Sequence, residues 1–231
     1  VLDSRKTEVV RNSQWLAKMT FADVLRLASQ QTVAQVIHRR DFHERLAAAG
    51  DVMLHEFLYP LMQGYDSVAV RSDVEIGGTD QKFNLLVGRD LQQKAGQEPQ
   101  CVLTMPLLVG MDGKQKMSKT AGNSIAFQDE PEDFYGKVMS IPDDPLFDYW
   151  LLLTDRDERE IADLKSACAA GKENPRNVKS ALARHLVEFF HGKTAAAGAE
   201  EHFRNVFVKK DAPDVVEEFH LEPSRQAADL A

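Results

Sequence analysis

Two lysines stand three residues apart in the run Lys116-Met117-Ser118-Lys119-Thr120, with Gly110, Gly113 and Gly122 nearby. Flanking glycines suit a loop that closes over a ligand. The ammonium groups would neutralise charge as an α-phosphate is attacked and pyrophosphate leaves. Interleaved hydroxyls and loop N–H groups can add donors. By spacing alone, a basic surface loop explains these residues at least as well.

A second group, Gly77-Gly78-Thr79-Asp80-Gln81, follows Val74-Glu75-Ile76, which reads as a short strand running into a glycine turn. Ligands bind at the carboxyl ends of strands in open α/β sheets. Glycines there admit a ligand close to the backbone, and a following helix offers free N–H donors. A tight turn with an ordinary first-turn Asp is the plainer alternative. The third group is Tyr59, Gln63 and Asp66. Tyr59 and Gln63 share a helix face, with Asp66 expected just past the helix end. Phenol, amide and carboxylate together would suit an α-ammonium group. A half-buried helix with polar residues is again the plainer alternative.

Elements must position these groups. Phe21 to Ala49 reads as helices, the first capped by Thr20. Val52 to Gln63 reads as a helix closed by Gly64, and Ser67 to Val70 as a short strand. Val74 to Gly78 and Cys101 to Met105 read as strands around a helix capped by Thr79 and closed by Gly96. That is a βαβ unit of a parallel sheet. Gly110 to Asn123 reads as loop. Beyond Pro131 the pattern is helical: one helix capped by Thr154 with Asp157 as reciprocal partner, one from Asn174-Pro175 to Gly192, one from Thr194.

The 231 residues suffice for one large or two modest domains. The two cysteines, Cys101 and Cys168, have no metal-ligand spacing and point to a reducing, cytoplasmic setting. No run approaches the ~20 apolar residues of a membrane span, and the opening residues lack the apolar core of a signal peptide. The absence of an initiator Met reads as a cut inside a longer protein. Net charge is −8, which argues against a general nucleic-acid coat. Charge is uneven: residues 129–163 carry twelve acids and three bases, 176–210 seven bases and three acids, and 211–231 six acids and one base. The basic stretch is a candidate phosphate-backbone contact or a solvated helix face.

Together, Tyr-x-x-x-Gln-x-x-Asp, Gly-Gly-Thr-Asp-Gln and Lys-Met-Ser-Lys-Thr resemble the tyrosyl-tRNA synthetase family, in that family's order and approximate spacing. Asn12-Ser13-x-Trp15-Leu16 and Gly88-Arg89-Asp90 fit the same likeness. The resemblance implies an α/β fold: the C-terminal portion of a Rossmann-like class I catalytic domain over residues 1–128, then an all-α anticodon-arm domain over 129–208 and a linker or tail over 209–231. It implies ATP with Mg2+, tyrosine and tRNA-Tyr as substrates, and a homodimer through helices of about Phe21 to Phe57. Tyr59 and Gln63 would bind the tyrosine α-ammonium, with Gln81 nearby. Asp66 would bind the phenolic hydroxyl or order its pocket. Asp80 and the Gly77-Gly78 backbone would contact ribose and adenylate. The Lys116-Met117-Ser118-Lys119 run and Thr120 would hold the phosphates, with Lys116, Lys119 and Thr120 acting in catalysis. Glu75 stands where many members carry Gln.

The family's first motif, His-x-Gly-His, is absent. His38, His43, His55, His185, His191, His202 and His220 show no such pairing and read as helix-surface or core residues. The chain alone is therefore expected to be inactive. Trp15 and Trp150 read as core aromatics. The alternatives are a tryptophanyl-type enzyme, which shares the lysine loop, and a non-catalytic RNA-binding protein built on synthetase parts.

Overall fold

A computed structural model describes residues 2–37 and 40–209. His38, His220 and the expected tail beyond Lys209 lie outside the described residues. The chain divides into two compact units, at Leu107–Leu108.

The first unit begins with short helices, α1 (Ser13–Leu16), α2 (Phe21–Ala28), α3 (Val33–Ile37) and α4 (Arg40–Ala47). Thr20 caps α2 as expected. Its backbone N–H donates to the Asp23 carboxylate at 2.9 Å, while its hydroxyl accepts from the Asp23 N–H at 3.3 Å. Next comes α5 (Leu54–Val70), which overturns two expectations. Gly64 does not end the helix, and Ser67 to Val70 is its last turn rather than a strand. The reason lies in α6 (Lys82–Lys94), which packs closely on α5. A Cβ on Gly64 would sit 2.9 Å from Val87 Cγ1 and 3.0 Å from the Gly88 nitrogen. Glycine here serves helix contact, not helix termination. The helix ends instead at Arg71, in left-handed conformation at φ 57°.

Strands β1 (Val74–Gly78) and β2 (Cys101–Met105) pair in parallel, from Val74 opposite Cys101 to Gly78 opposite Met105. A 3₁₀ turn, Thr79–Gln81, joins β1 to α6. Its cap position belongs to Gly78, not Thr79. A cap needs extended backbone, which the last strand residue has at ψ 159°, whereas Thr79 is already within the turn. Leu27, Leu61, Val87 and Leu91 form the buried core of this unit.

The second unit contains α7 (Pro131–Ser140), α8 (Leu146–Leu153), α9 (Glu158–Ala169), α10 (Pro175–His191) and α11 (Lys193–Phe203), then a π-helical turn, Arg204–Lys209. Asn174 caps α10 through Oδ1, which accepts from the Arg176 N–H at 3.0 Å, and Pro175 follows at the first helical position. Gly192 closes α10 at φ 91° and also caps α11, which starts at Lys193, one residue before the expected Thr194. Thr154 does not cap α9. It ends α8, where its hydroxyl donates to the Trp150 carbonyl at 2.6 Å, and Asp157 takes the cap. Asp157 sits one residue before the helix, so its short side chain reaches the Arg159 N–H directly, at 2.7 Å. Val138, Ile141, Leu146, Leu182 and Val187 are fully buried at the centre of these helices. Trp150 is core, as expected. No helix of the described residues is long and apolar enough to cross a membrane.

Candidate functional site

In the first unit, α5 and the β1–α6 turn line a cleft of about 360 Å³. Tyr59, Asp80 and Gln81 line it, with Phe42, His55, Glu56 and Asn84. Tyr59 is exposed and its ring is presented to the cleft. Asn84, one turn into the α6 region and buried, was not singled out from the sequence. Its Nδ2 donates to Gln63 Oε1 at 2.8 Å and to Gln81 Oε1 at 3.3 Å. One amide therefore joins two residues named from separate motifs. The only available signal was a polar residue between Phe83 and Leu85, three positions after Gln81.

Asp66 lies within α5, seven residues after Tyr59, and so on the same face. Its carboxylate does not converge on that cleft. It accepts from the Trp15 indole N–H at 2.8 Å and from Asn12 Nδ2 at 3.3 Å, beside a separate hollow. Trp15 is thus a half-buried partner of Asp66 rather than a core aromatic. Glu75 does not line the cleft. It accepts from the Ser67 hydroxyl at 2.8 Å and from the Gln100 amide, beneath the α5–α6 contact. Gly77 and Gly78 lie close against neighbours: a Cβ on Gly78 would meet Leu107 Cδ2 at 2.6 Å and Asp80 Oδ1 at 2.8 Å.

At the mouth of this region, Arg45 and Glu56 pair at 2.6 Å, and the Met53 N–H donates to Glu56 at 2.9 Å. The Arg45 guanidinium and this N–H hold the Glu56 carboxyl down at about 2.

The lysine-bearing loop belongs to the second unit. Lys116 bridges back to Val109 in antiparallel fashion, and the Met117 N–H donates to the Leu108 carbonyl at 2.9 Å. The Met117 side chain packs against the helical core, as do Leu108 and Ile125. Lys116, Lys119 and Thr120 are exposed, as is Lys114. Several N–H groups expected to serve as anion donors are already used. Those of Ser118, Ala121 and Gly122 bond to Asn123, Ser118 and Lys119 respectively. Exposed donor side chains of the loop include the lysines, Thr120 and Gln115. The Asp112 carboxyl is held below the usual carboxylate range by the Lys114 N–H, the Asn123 amide and the Gln115 N–H. Tyr149, on α8, donates its hydroxyl to the Val109 carbonyl, and burial pushes its phenol up to about 12.

The basic stretch after Arg176 is partly neutralised. Lys179 pairs with Asp143 at 2.5 Å, Arg184 with Glu200 at 3.6 Å and Lys193 with Glu188 at 3.7 Å. Among the described histidines, His43, His55 and His185 lie exposed on helices, and His191 and His202 are half-buried, as expected.

The model of the class I tRNA synthetases (W and Y) matches residues 1–208. The tyrosine–tRNA ligase of Thermotoga maritima is 50% identical over 230 residues, covering all of this chain and 57% of that protein. The tyrosine–tRNA ligase of Haemophilus influenzae is 52% identical over 219 residues, covering 95% of this chain and 54% of that protein. Among solved structures, a tyrosyl-tRNA synthetase from Archaeoglobus fulgidus, complexed with L-tyrosine, superposes with a TM-score of 0.59 at 26% identity. That match covers 83% of this chain and 66% of the other. The chain spans about half the length of the curated relatives it matches. With the family model covering the strand–turn–helix cleft and the lysine loop alike, this chain belongs to the class I tRNA synthetases of the tryptophan and tyrosine group.

Proposed function

We propose that the chain is part of an enzyme that activates tyrosine with ATP and loads it onto tRNA-Tyr. A tyrosine carboxylate oxygen attacks the α-phosphate of ATP, and pyrophosphate leaves. A hydroxyl of the tRNA terminal ribose then attacks the adenylate carbonyl, and AMP leaves. Positioning and charge neutralisation carry such a reaction, without covalent help from the protein. Tyr59, Gln63 and Gln81 hold the α-ammonium end of tyrosine, and Asp66, bonded to Trp15 and Asn12, orders the tyrosine pocket from beside the cleft. Asp80 and the Gly77-Gly78 backbone meet ribose and adenylate. Lys116 and Lys119 neutralise the phosphates of Mg2+-bound ATP, and the Thr120 hydroxyl donates to them.

The observation that carries this reading is the amide junction at Asn84. It draws Gln63 and Gln81 together beside the cleft that Tyr59 and Asp80 line. Tyrosine rather than tryptophan is favoured by the names of the relatives at about 50% identity over nearly the whole chain.

The catalytic portion spans residues 1–128. Residues 129–208 receive the anticodon arm, and the enzyme acts in the cytoplasm. Exposed Phe21, Leu25, Val33 and Leu54 support a homodimer contact through the connecting helices.

The test is amino-acid-dependent exchange of labelled pyrophosphate into ATP by the full-length protein. Exchange is expected with tyrosine and background with tryptophan. An equal response to tryptophan, or none to either, overturns the proposal.

A further inference from the structure

Asn123 is the most connected side chain of the lysine loop, and it is only 5% exposed. Its Oδ1 accepts from the Ser118 N–H at 2.8 Å. Its Nδ2 donates to Asp112 Oδ2 at 2.9 Å and to the Lys116 carbonyl at 3.3 Å. Its own carbonyl accepts from the Met111 N–H at 3.0 Å. Asp112 completes the arrangement, because Oδ1 accepts from the Lys114 and Gln115 N–H groups at 2.9 and 3.0 Å. Two side chains therefore bind the backbone at Lys114, Gln115, Lys116 and Ser118. Gly110 makes room for them, since a Cβ there would run into the Asn123 amide.

A loop shaped only by glycines would sample many backbone states, and ordering it on a ligand would cost entropy at each residue. Asn123 removes much of that freedom in advance. Buried amide bonds are also costly to leave unmade. The backbone at Lys114, Gln115, Lys116 and Ser118 is consequently held in one shape, which orients the Lys116 stem directly and the Lys119 stem through the adjoining Ser118.

We infer that Asn123, acting with Asp112, is a positioning residue for phosphate binding by Lys116 and Lys119. The inference rests on the proposed function, in that ATP is the ligand of this loop. Neither Asn123 nor Asp112 touches the nucleotide. They fix the peptide from which the ammonium groups extend.

The test uses the full-length protein and two variants, Asn123→Ala and Asp112→Asn, each checked for its melting transition. ATP binding is measured by calorimetry, tyrosine binding likewise, and pyrophosphate exchange as a function of ATP. A misplacement of about 1 Å costs on the order of 100-fold, so Asn123→Ala should lower kcat/KM for ATP by about 100-fold. Asp112→Asn loses one acceptor and should lower it about tenfold. Tyrosine affinity should stay within about twofold for both, which a general loss of folding would not produce. If Asn123→Ala does not fold, Asp112→Asn decides. A folded variant with wild-type dependence on ATP, or one that loses tyrosine and ATP binding equally, overturns the inference. A wild-type protein that binds ATP without exchanging pyrophosphate overturns the proposed function instead, and the variants' ATP affinities still judge Asn123. Wild-type protein that binds no ATP overturns both.

Discussion

Gly88 offers a direct test of how the cleft is built, because two opposing effects act on it. It lies in the interior of α6, where alanine would ordinarily gain about 1 kcal/mol in helix propensity. Against that, a Cβ at Gly88 would fall 2.5 Å from the Ser67 hydroxyl, 2.9 Å from Gln100 Nε2 and 3.1 Å from Ser67 Cβ. None of these neighbours is a free side-chain end. Ser67 and Gln100 Nε2 both donate to Glu75, and the backbone N–H of buried Gln100 donates to Gln92 Oε1 at 2.8 Å. Overpacking costs about 1–3 kcal/mol, and each weakened buried hydrogen bond about 1 kcal/mol more. Gly88→Ala should therefore destabilise by about 1–3 kcal/mol net. Gly136, inside α7, supplies the control: its Cβ would meet nothing within 4 Å. Gly136→Ala should stabilise by up to about 1 kcal/mol. Urea titration followed by circular dichroism measures both. Two substitutions of the same chemistry should move the midpoint in opposite directions. If Gly88→Ala is as stable as wild type, or both variants shift alike, the account of the α5–α6 contact is wrong.

Glu56, held down at about 2 against an ordinary 4.5, contributes stability that is present above pH 4.5 and lost as pH falls toward 2. Glu56→Gln should accordingly lower the melting temperature at pH 7, and the gap to wild type should shrink as pH falls from 4.5 through 2; a gap that stays constant over that range would refute the Arg45 pairing. Tyr149→Phe should cost about 1–3 kcal/mol, because the Val109 carbonyl loses its donor at the base of the lysine loop. Its phenol, raised from 10 to about 12, contributes stability that is lost between those values as pH rises, and a spectroscopic phenol titration checks it.

Local pattern accounts for a large part of the structure. The strand–helix–strand order and glycine placement marked β1 and β2, and cap residues marked the starts of α2 and α10, because these signals act within a few residues of one another. Motif spelling likewise carried the family reading. Two of the errors share one origin. Gly64 read as a helix end and Ser67 to Val70 as a strand, since a glycine that admits a neighbouring helix is indistinguishable locally from one that stops its own. The same limit hid Trp15 and Asn12, which reach Asp66 from more than fifty residues away.

Residue types alone determined which groups are able to do chemistry: the paired lysines, the Gly-Gly-Thr-Asp-Gln turn, and the Tyr59 and Gln63 spacing on one helix face. Tertiary structure alone decided how they are held. It turned Glu75 under the helices, drew Gln63 and Gln81 onto Asn84, and gave the lysine loop its shape through Asn123. A polar side chain's role depends on which donors and acceptors burial brings within about 3 Å, and that distance is set by packing between segments remote in sequence.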